Sequence, residues 1–217
     1  MESRKLLQIK RHILIGRLIH WTNAFCFMGL ILTALALLGI KNYEVNIWGY
    51  LYPLNKLLGG THNIRWAHRW LGLTFFGTTL GLIIIWVRDA ARFSPDDWQW
   101  LMQTMTRKNP EPPQDKLNAG QKLYFFAIAL LSLSAALSGS YIWLPWLNIF
   151  QPNITLLWDG NLHDYLIIPF LLVFLPHLYL ALVAYPRAFI GMITGYVPGE
   201  YAQKRHQKWY QRKAGPS

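Results

Sequence analysis

Four stretches of this chain are apolar over about the 20 residues that a helix needs to cross a bilayer. They fall at residues 13–38, 66–87, 123–146 and 163–185. In 217 residues they leave room for little else, and only 14% of the chain is charged. A soluble domain carries nearer about a quarter. Lipid offers no partners for an open backbone, so each stretch must satisfy its own amides as a helix. The pattern predicts an all-α membrane protein, a bundle of four transmembrane helices forming one domain over residues 1–217.

Charge orients the bundle. The net charge is +11, with 21 Lys and Arg against 10 Asp and Glu. Such a balance can serve nucleic acid. Here the basic residues flank apolar spans instead of lining an aromatic groove, and nucleic acid is not an expected partner. Five lie in the N-terminal stretch up to Arg17, six between residues 88 and 122, and six from Arg187 onward. The connection 41–69 carries four, and 148–161 carries none. The positive-inside rule then puts both termini and the middle loop in the cytoplasm. Trp48, Trp66, Trp70, Trp143, Trp146 and Trp158 fall toward the outer ends, as an aromatic belt would. The apolar run after the N-terminal tail is too long for a signal-peptide core, so a retained first helix is expected.

Two segments outside the spans carry local signals. Ser94-Pro95-Asp96-Asp97 is a helix start, with a cap, a proline in the first turn and acids at the positive end. A short amphipathic cytoplasmic helix over 94–106 is expected, broken by Asn109-Pro110-Glu111-Pro112-Pro113. The basic, aromatic tail 187–217 suits the membrane surface or a partner.

Ionisable residues inside a membrane are costly and usually functional. Four histidines sit in the spans: His20, His68, His163 and His177. Given the topology, His20 and His177 lie near the inner face, and His68 and His163 near the outer face. His163 and His177 are 14 residues apart on the fourth span. On an unbroken helix that is 40° short of four turns and roughly 21 Å of rise, so both share a side but cannot share one metal. Neutral imidazole is the usual protein ligand of haem iron. The pairs predict two b haems, one held by His20 and His177 and one by His68 and His163. The alternative is four histidines satisfied at helix ends. His12, His62 and His206 lie in polar flanks and are expected to be structural. The single cysteine, Cys26, excludes an internal disulfide, a covalent haem motif and a cysteine-ligated iron–sulfur cluster within this chain.

Arg17 and Arg69 are candidates to pair with haem propionates, or are plain topology charges. Gly72, Gly77 and Gly81 admit a flat macrocycle or simply pack helices. Pro176, just before His177, is expected to kink the fourth helix. No nucleophile–base pair or phosphate loop is evident, so electrons would have to come from a partner.

Arg17-Leu-Ile-His20-Trp21, Trp66-Ala-His68-Arg-Trp-Leu-Gly72, Leu117-Asn118-Ala119-Gly120-Gln121-Lys122 and the two histidines of the fourth span resemble the cytochrome b (gamma) subunit of membrane-bound formate dehydrogenase. The likeness covers nearly the whole chain except the outer loop 41–65. It implies a protein of the bacterial inner membrane. It also implies a quinone site, for menaquinone or ubiquinone, at Asn118, Gly120 and Gln121 with Ala181 nearby. An iron–sulfur subunit and a molybdenum- or tungsten-containing catalytic subunit would be partners, and a higher oligomer of the complex is allowed. The histidine pattern alone also fits the cytochrome b of a hydrogenase or of a thiosulfate or polysulfide reductase. From a different class, a non-redox anchor or transporter would use the histidines for packing or proton relay.

Overall fold

The computed structural model describes residues 8–41, 52–106, 112–143 and 161–214. Trp48, Trp146, Trp158, the loop 148–161 up to residue 160 and the break at Asn109-Pro110-Glu111 lie outside these residues. Among the described residues, four helical stretches are long and apolar enough to cross a membrane: Leu14–Gly39, Gly60–Ala90, Ala119–Trp143 and Leu162–Ala184. Many of their large side chains point outward. Phe25 is 73% exposed, Ile84 77% and Leu172 69%. Apolar surface on that scale belongs against lipid.

Helix α1 (Leu14–Lys41) follows the first apolar run closely. After α2 (Tyr52–Leu57), helix α3 (Gly60–Ala90) starts six residues before the expected Trp66. Gly59 and Gly60 turn the chain into it, with φ of 88° and 87°, values that side chains bearing a Cβ avoid. At 1.5 Å per residue, the 31 residues of α3 span about 46 Å, more than the hydrocarbon core. Hydropathy marks the embedded part of a helix, and the polar turn 61–65 is helix beyond it. Helix α4 (Pro95–Thr106) begins where Ser94 predicts. Both the Ser94 amide and its hydroxyl donate to Asp97 Oδ2, at 2.7 and 2.9 Å.

Helix α5 (Ala119–Trp143) begins four residues before the expected start. The fourth span comes in pieces: α6 (Asn161–Tyr165), α7 (Ile167–Tyr179) and a π-helical turn, Leu180–Ala184. One expectation changes here. The even 100° step between His163 and His177 presumed one unbroken α-helix, and the chain interrupts it at Leu166. Helix α7 continues through Pro176. The irregularity appears one turn later as the π turn, closed by the Tyr185 amide on the Leu180 carbonyl at 2.8 Å.

The chain divides into two compact units. One, the cavity unit, comprises Ile19–Gly81 and Ala129–Leu172. In it Phe27, Phe75 and Phe170 form an aromatic cluster, with ring centres 5.5 to 6.3 Å apart. Asn23, half-buried in a span, is satisfied by the Phe75 carbonyl and the Thr78 and Thr79 hydroxyls at 2.9 to 3.1 Å.

The other, the terminal unit, comprises Met1–Leu18, Leu82–Ile128 and Val173–Ser217. It departs from an all-α fold. Strand β1 (Gln8–Lys10) pairs antiparallel with β2 (Tyr196–Pro198), in register at Ile9 and Val197. The pairing puts the two ends of the described chain together. The tail expected to serve a membrane surface or a partner folds onto the protein as α8 (Pro186–Thr194), β2, α9 (Gly199–Arg205) and α10 (Gln207–Ala214). Ile9, Val197, Tyr201, Ala202 and Trp209 make its small core.

The segment 112–118 is stitched to this tail. The Lys208 amide donates to the Gln114 carbonyl at 3.1 Å, and the Gln114 amide to Gln207 Oε1 at 3.2 Å. Lys208 also pairs with Asp96, and Arg212 with Asp115. The Asp97–Lys122 ion pair, at 2.8 Å, is almost fully buried.

Candidate cofactor site

In the cavity unit, α3 carries His68 and α6 carries His163. Their ring centres are 6.1 Å apart and their planes cross at 86°. Both line a cavity of about 650 Å³, with Phe27, Gly72, Ser132 and Gly139 among its walls. The volume falls in the roughly 300–1,000 Å³ range of cofactor-sized sites. The fold thus brings together the pair predicted from depth.

Each ring is held through Nδ1 by a hydroxyl on another helix. His68 Nδ1 lies 2.8 Å from Thr33 Oγ1, and His163 Nδ1 lies 2.9 Å from Ser138 Oγ. Both hydroxyls also contact carbonyls one turn back on their own helices. Thr33 donates to Gly29 at 2.8 Å and Ser138 to Ser134 at 2.7 Å. A carbonyl can only accept and a hydroxyl has one proton, so that proton is already committed. With that proton on the carbonyl, each imidazole donates from Nδ1. A neutral ring that donates from Nδ1 keeps its Nε2 lone pair free to bind a metal.

Gly139 allows His163 its position. A Cβ at Gly139 would come 3.1 Å from His163 Cε1. Ser132, also on α5, has a buried hydroxyl without a partner on the same wall. Arg65 and Arg69 supply positive charge to the lining, and the Arg69 guanidinium sits 5.7 and 5.8 Å from the Trp66 and Trp143 ring centres. Of the three candidate glycines on α3, Gly72 lines the cavity. A Cβ at Gly81 would press on Ile19 at 3.3 Å, which is helix packing, and Gly77 has open space.

His20 stands on α1 in the cavity unit, edge-on to Trp21 with ring centres 5.3 Å apart. His177 stands on α7 in the terminal unit, stacked on Tyr124 at 4.6 Å and 12°. Their pairing rests on the topology read from the sequence. Arg17 is occupied elsewhere, its Nε and Nη2 donating to the Met192 and Ile193 carbonyls that end α8. A propionate contact from Arg17 would compete with those bonds.

Asn118 and Gln121 form a reciprocal cap at the start of α5. Asn118 Oδ1 accepts from the Gln121 amide at 2.8 Å, and Gln121 Oε1 accepts from the Asn118 amide at 3.0 Å. Both side-chain oxygens are thereby committed to the cap, and the NH2 groups remain as donors. Gln121 and Tyr124 are three residues apart on α5, and Tyr124 stacks on His177. Gly120 packs on the Trp100 ring, where a Cβ would sit 3.4 Å away. Ala181 lies in the π turn.

Thr33 and Ser138, which hold the two rings, and Arg65, which lines the cavity, escaped the sequence reading. Serine and threonine are ordinary in membrane helices, and no spacing marks them. His206, expected to be structural, lies in a polar stretch of sequence but inside the fold. It is 1% exposed, and its Nδ1 donates to the Asp115 carbonyl at 2.8 Å. Burial, helped by the positive charge of Arg11, pushes its pKa down to about 3, so it is neutral at physiological pH. Aromatic neighbours Tyr201 and Trp209 were the available signal.

Residues 11–195 match the family described as prokaryotic cytochrome b561, and the chain belongs to it. The family makes this a membrane-anchored electron-transfer cytochrome and sets aside the non-redox anchor or transporter. Over 212 residues the chain is 28% identical to the nitrate-inducible formate dehydrogenase cytochrome b556(Fdn) subunit of Escherichia coli K12, covering 95% of this chain and 92% of that protein. It is 25% identical over 206 residues to the cytochrome b556(fdo) subunit of formate dehydrogenase from the same strain, covering 93% and 92%. It is 23% identical over 213 residues to the formate dehydrogenase cytochrome b556 subunit of Haemophilus influenzae, covering 95% and 84%. The resemblance to formate dehydrogenase cytochrome b subunits is borne out, and the chain is a multi-pass protein of the bacterial inner membrane.

Proposed function

We propose that this chain is the dihaem cytochrome b subunit of a respiratory formate dehydrogenase, anchoring it in the membrane and passing its electrons to a quinone. The observation that carries this reading is the His68–His163 pair across an apolar cavity, each ring keeping Nε2 for a metal. An imidazole bound to iron has its ring centre roughly 3 Å from the metal, so two rings on opposite sides stand about 6 Å apart. The observed 6.1 Å fits. Among the described residues no group of three or more His, Cys, Asp or Glu could hold a metal ion. Two imidazoles suit an iron whose other four ligands come from a porphyrin.

His68 and His163 would hold the outer haem b, with Arg65 and Arg69 to offset its propionates. His20 and His177 would hold the inner one. When bound, each haem b supplies a one-electron carrier, and two at different depths link a donor outside to an acceptor inside. Asn118 and Gln121 would aim their NH2 groups at a quinone carbonyl and favour its negatively charged form, with Gly120 and Ala181 beside it. Basic residues of the terminal unit would keep both termini cytoplasmic. The electron donor would be an iron–sulfur subunit fed by a molybdenum or tungsten formate-oxidising subunit. The formate names of the relatives favour formate over hydrogen or reduced sulfur compounds as the source.

A pyridine haemochrome assay on the purified complex tests the central claim. Two b haems per copy of this chain are expected. One haem would mean that a histidine pair is misassigned, and none would overturn the reading.

A further inference from the structure

Two hydroxyls on two different helices do the same thing to two different imidazoles. Thr33 on α1 is 7% exposed and Ser138 on α5 is 0% exposed. Each commits its proton to a carbonyl of its own helix and presents an oxygen lone pair to a histidine Nδ1. An N–H buried in an apolar wall must find an acceptor. Here the acceptor is neutral and already polarised by its own donated bond. It pulls on the imidazole proton far less than a carboxylate would.

Such an arrangement has three consequences for a ligating ring. It fixes the tautomer, so Nε2 is the only nitrogen that can bind. It fixes rotation about the Cβ–Cγ bond, so the ring plane is set from outside the cavity. It also keeps the ring neutral and a moderate electron donor to the metal. The two rings are held at 86° to each other. An iron with axial imidazoles in crossed planes has a strongly anisotropic low-spin signal in its oxidised form, quite unlike that of parallel planes.

We infer that Thr33 and Ser138 are the positioning residues of the outer haem site, setting the tautomer and the crossed planes of His68 and His163 and thereby the reduction potential. This rests on the proposed haem ligation by those histidines. Removing either acceptor makes the ring a weaker donor, destabilises the oxidised iron and raises the midpoint potential of that haem.

The test uses the purified complex carrying Thr33→Val, Thr33→Ser or Ser138→Ala. Haem content, the electron paramagnetic resonance spectrum and a redox titration are read for each. Expected are a higher midpoint and a shifted largest g-value for one haem in Thr33→Val and in Ser138→Ala, the second haem staying at its wild-type values. Loss of that one haem alone also supports the inference. Thr33→Ser, which keeps the hydroxyl, should match the wild type. Wild-type spectra and potentials in both truncations would overturn the inference, as would Thr33→Ser behaving like Thr33→Val, or loss of both haems in either truncation. A separate His68→Ala variant guards the underlying reading. If it keeps both haems, the ligand assignment has failed, independently of the hydroxyls.

Discussion

The two units place polar groups in the interior for opposite ends. In the terminal unit several buried polar groups satisfy one another: Lys122 with Asp97, His206 with Asp115, Gln114 with Gln207. In the cavity unit Thr33 and Ser138 satisfy only half of each histidine, and the other half faces an apolar space. A self-satisfied network rigidifies a fold, and a half-satisfied one marks a place where something else completes it. The difference separates the residues that knit the terminal unit together from those that would hold the outer haem.

The largest effects should come from the four histidines of the spans. His68→Ala or His163→Ala should drop haem content from two to one per chain, and His20→Ala or His177→Ala should remove the other haem. If spectra showed His20→Ala and His68→Ala eliminating the same haem, the pairing by depth would be wrong.

Next comes the self-satisfied side. Lys122→Met leaves the Asp97 carboxylate buried without its cation. Breaking one partner of a buried pair costs roughly 3–5 kcal/mol. Thermal unfolding of the detergent-solubilised protein should show the loss, with the outer haem spectrum intact until unfolding. Wild-type stability would mean that water reaches this pair.

Asn118 belongs to both descriptions, and two conservative variants separate them. Asn118→Asp and Gln121→Glu keep the capping oxygens but remove the NH2 donors. The helix start should survive. One lost hydrogen bond is worth roughly 1–3 kcal/mol, so haem reoxidation by added quinone should slow by about 5- to 150-fold. Reoxidation at the wild-type rate would leave these residues as a cap and no more.

A smaller effect is expected at Gly139. An alanine there crowds His163 Cε1 and costs about 1–3 kcal/mol of packing strain. The Soret band of the outer haem should shift while that of the inner one does not.

The smallest effect is graded with pH. His206 is neutral in the folded state down to about pH 3, but an unfolded histidine binds its proton near pH 6.5. The unfolded state therefore takes up more protons below about 6.5, and the fold loses stability as pH falls from there toward 3. Arg11 and Arg205 oppose the added charge, and Asp115 favours it weakly. Amide exchange across residues 199–214, corrected for its intrinsic pH dependence, should speed up below about pH 6.5. His206→Gln should flatten that response.

The sequence told most about what obeys a period or a depth. Apolar length located the four spans, and depth paired His68 with His163. Helix ends were missed where polar turns continue a helix past the lipid, as at 60–65. The β1–β2 pair was invisible because three-residue strands carry no pattern and their partners lie at opposite ends of the chain. Thr33 and Ser138 were invisible for another reason. Only the folded contact tells a hydroxyl that holds a ring from one that merely bonds its own helix. Asn118 was legible as a cap, since Asn and Gln at that spacing are a local signature.

The clasp between Ile9 and Val197 bears on how the protein is made. The first strand leaves the ribosome long before its partner exists. The four spans must therefore enter the bilayer while that strand is still single, and the terminal unit closes only after the last span is in place. The clasp consists of residues 8–10 and 196–198, with α9 packed beside it. An insertion in either strand would disturb that clasp, so a split or tagged version of this protein is best joined in a loop between spans.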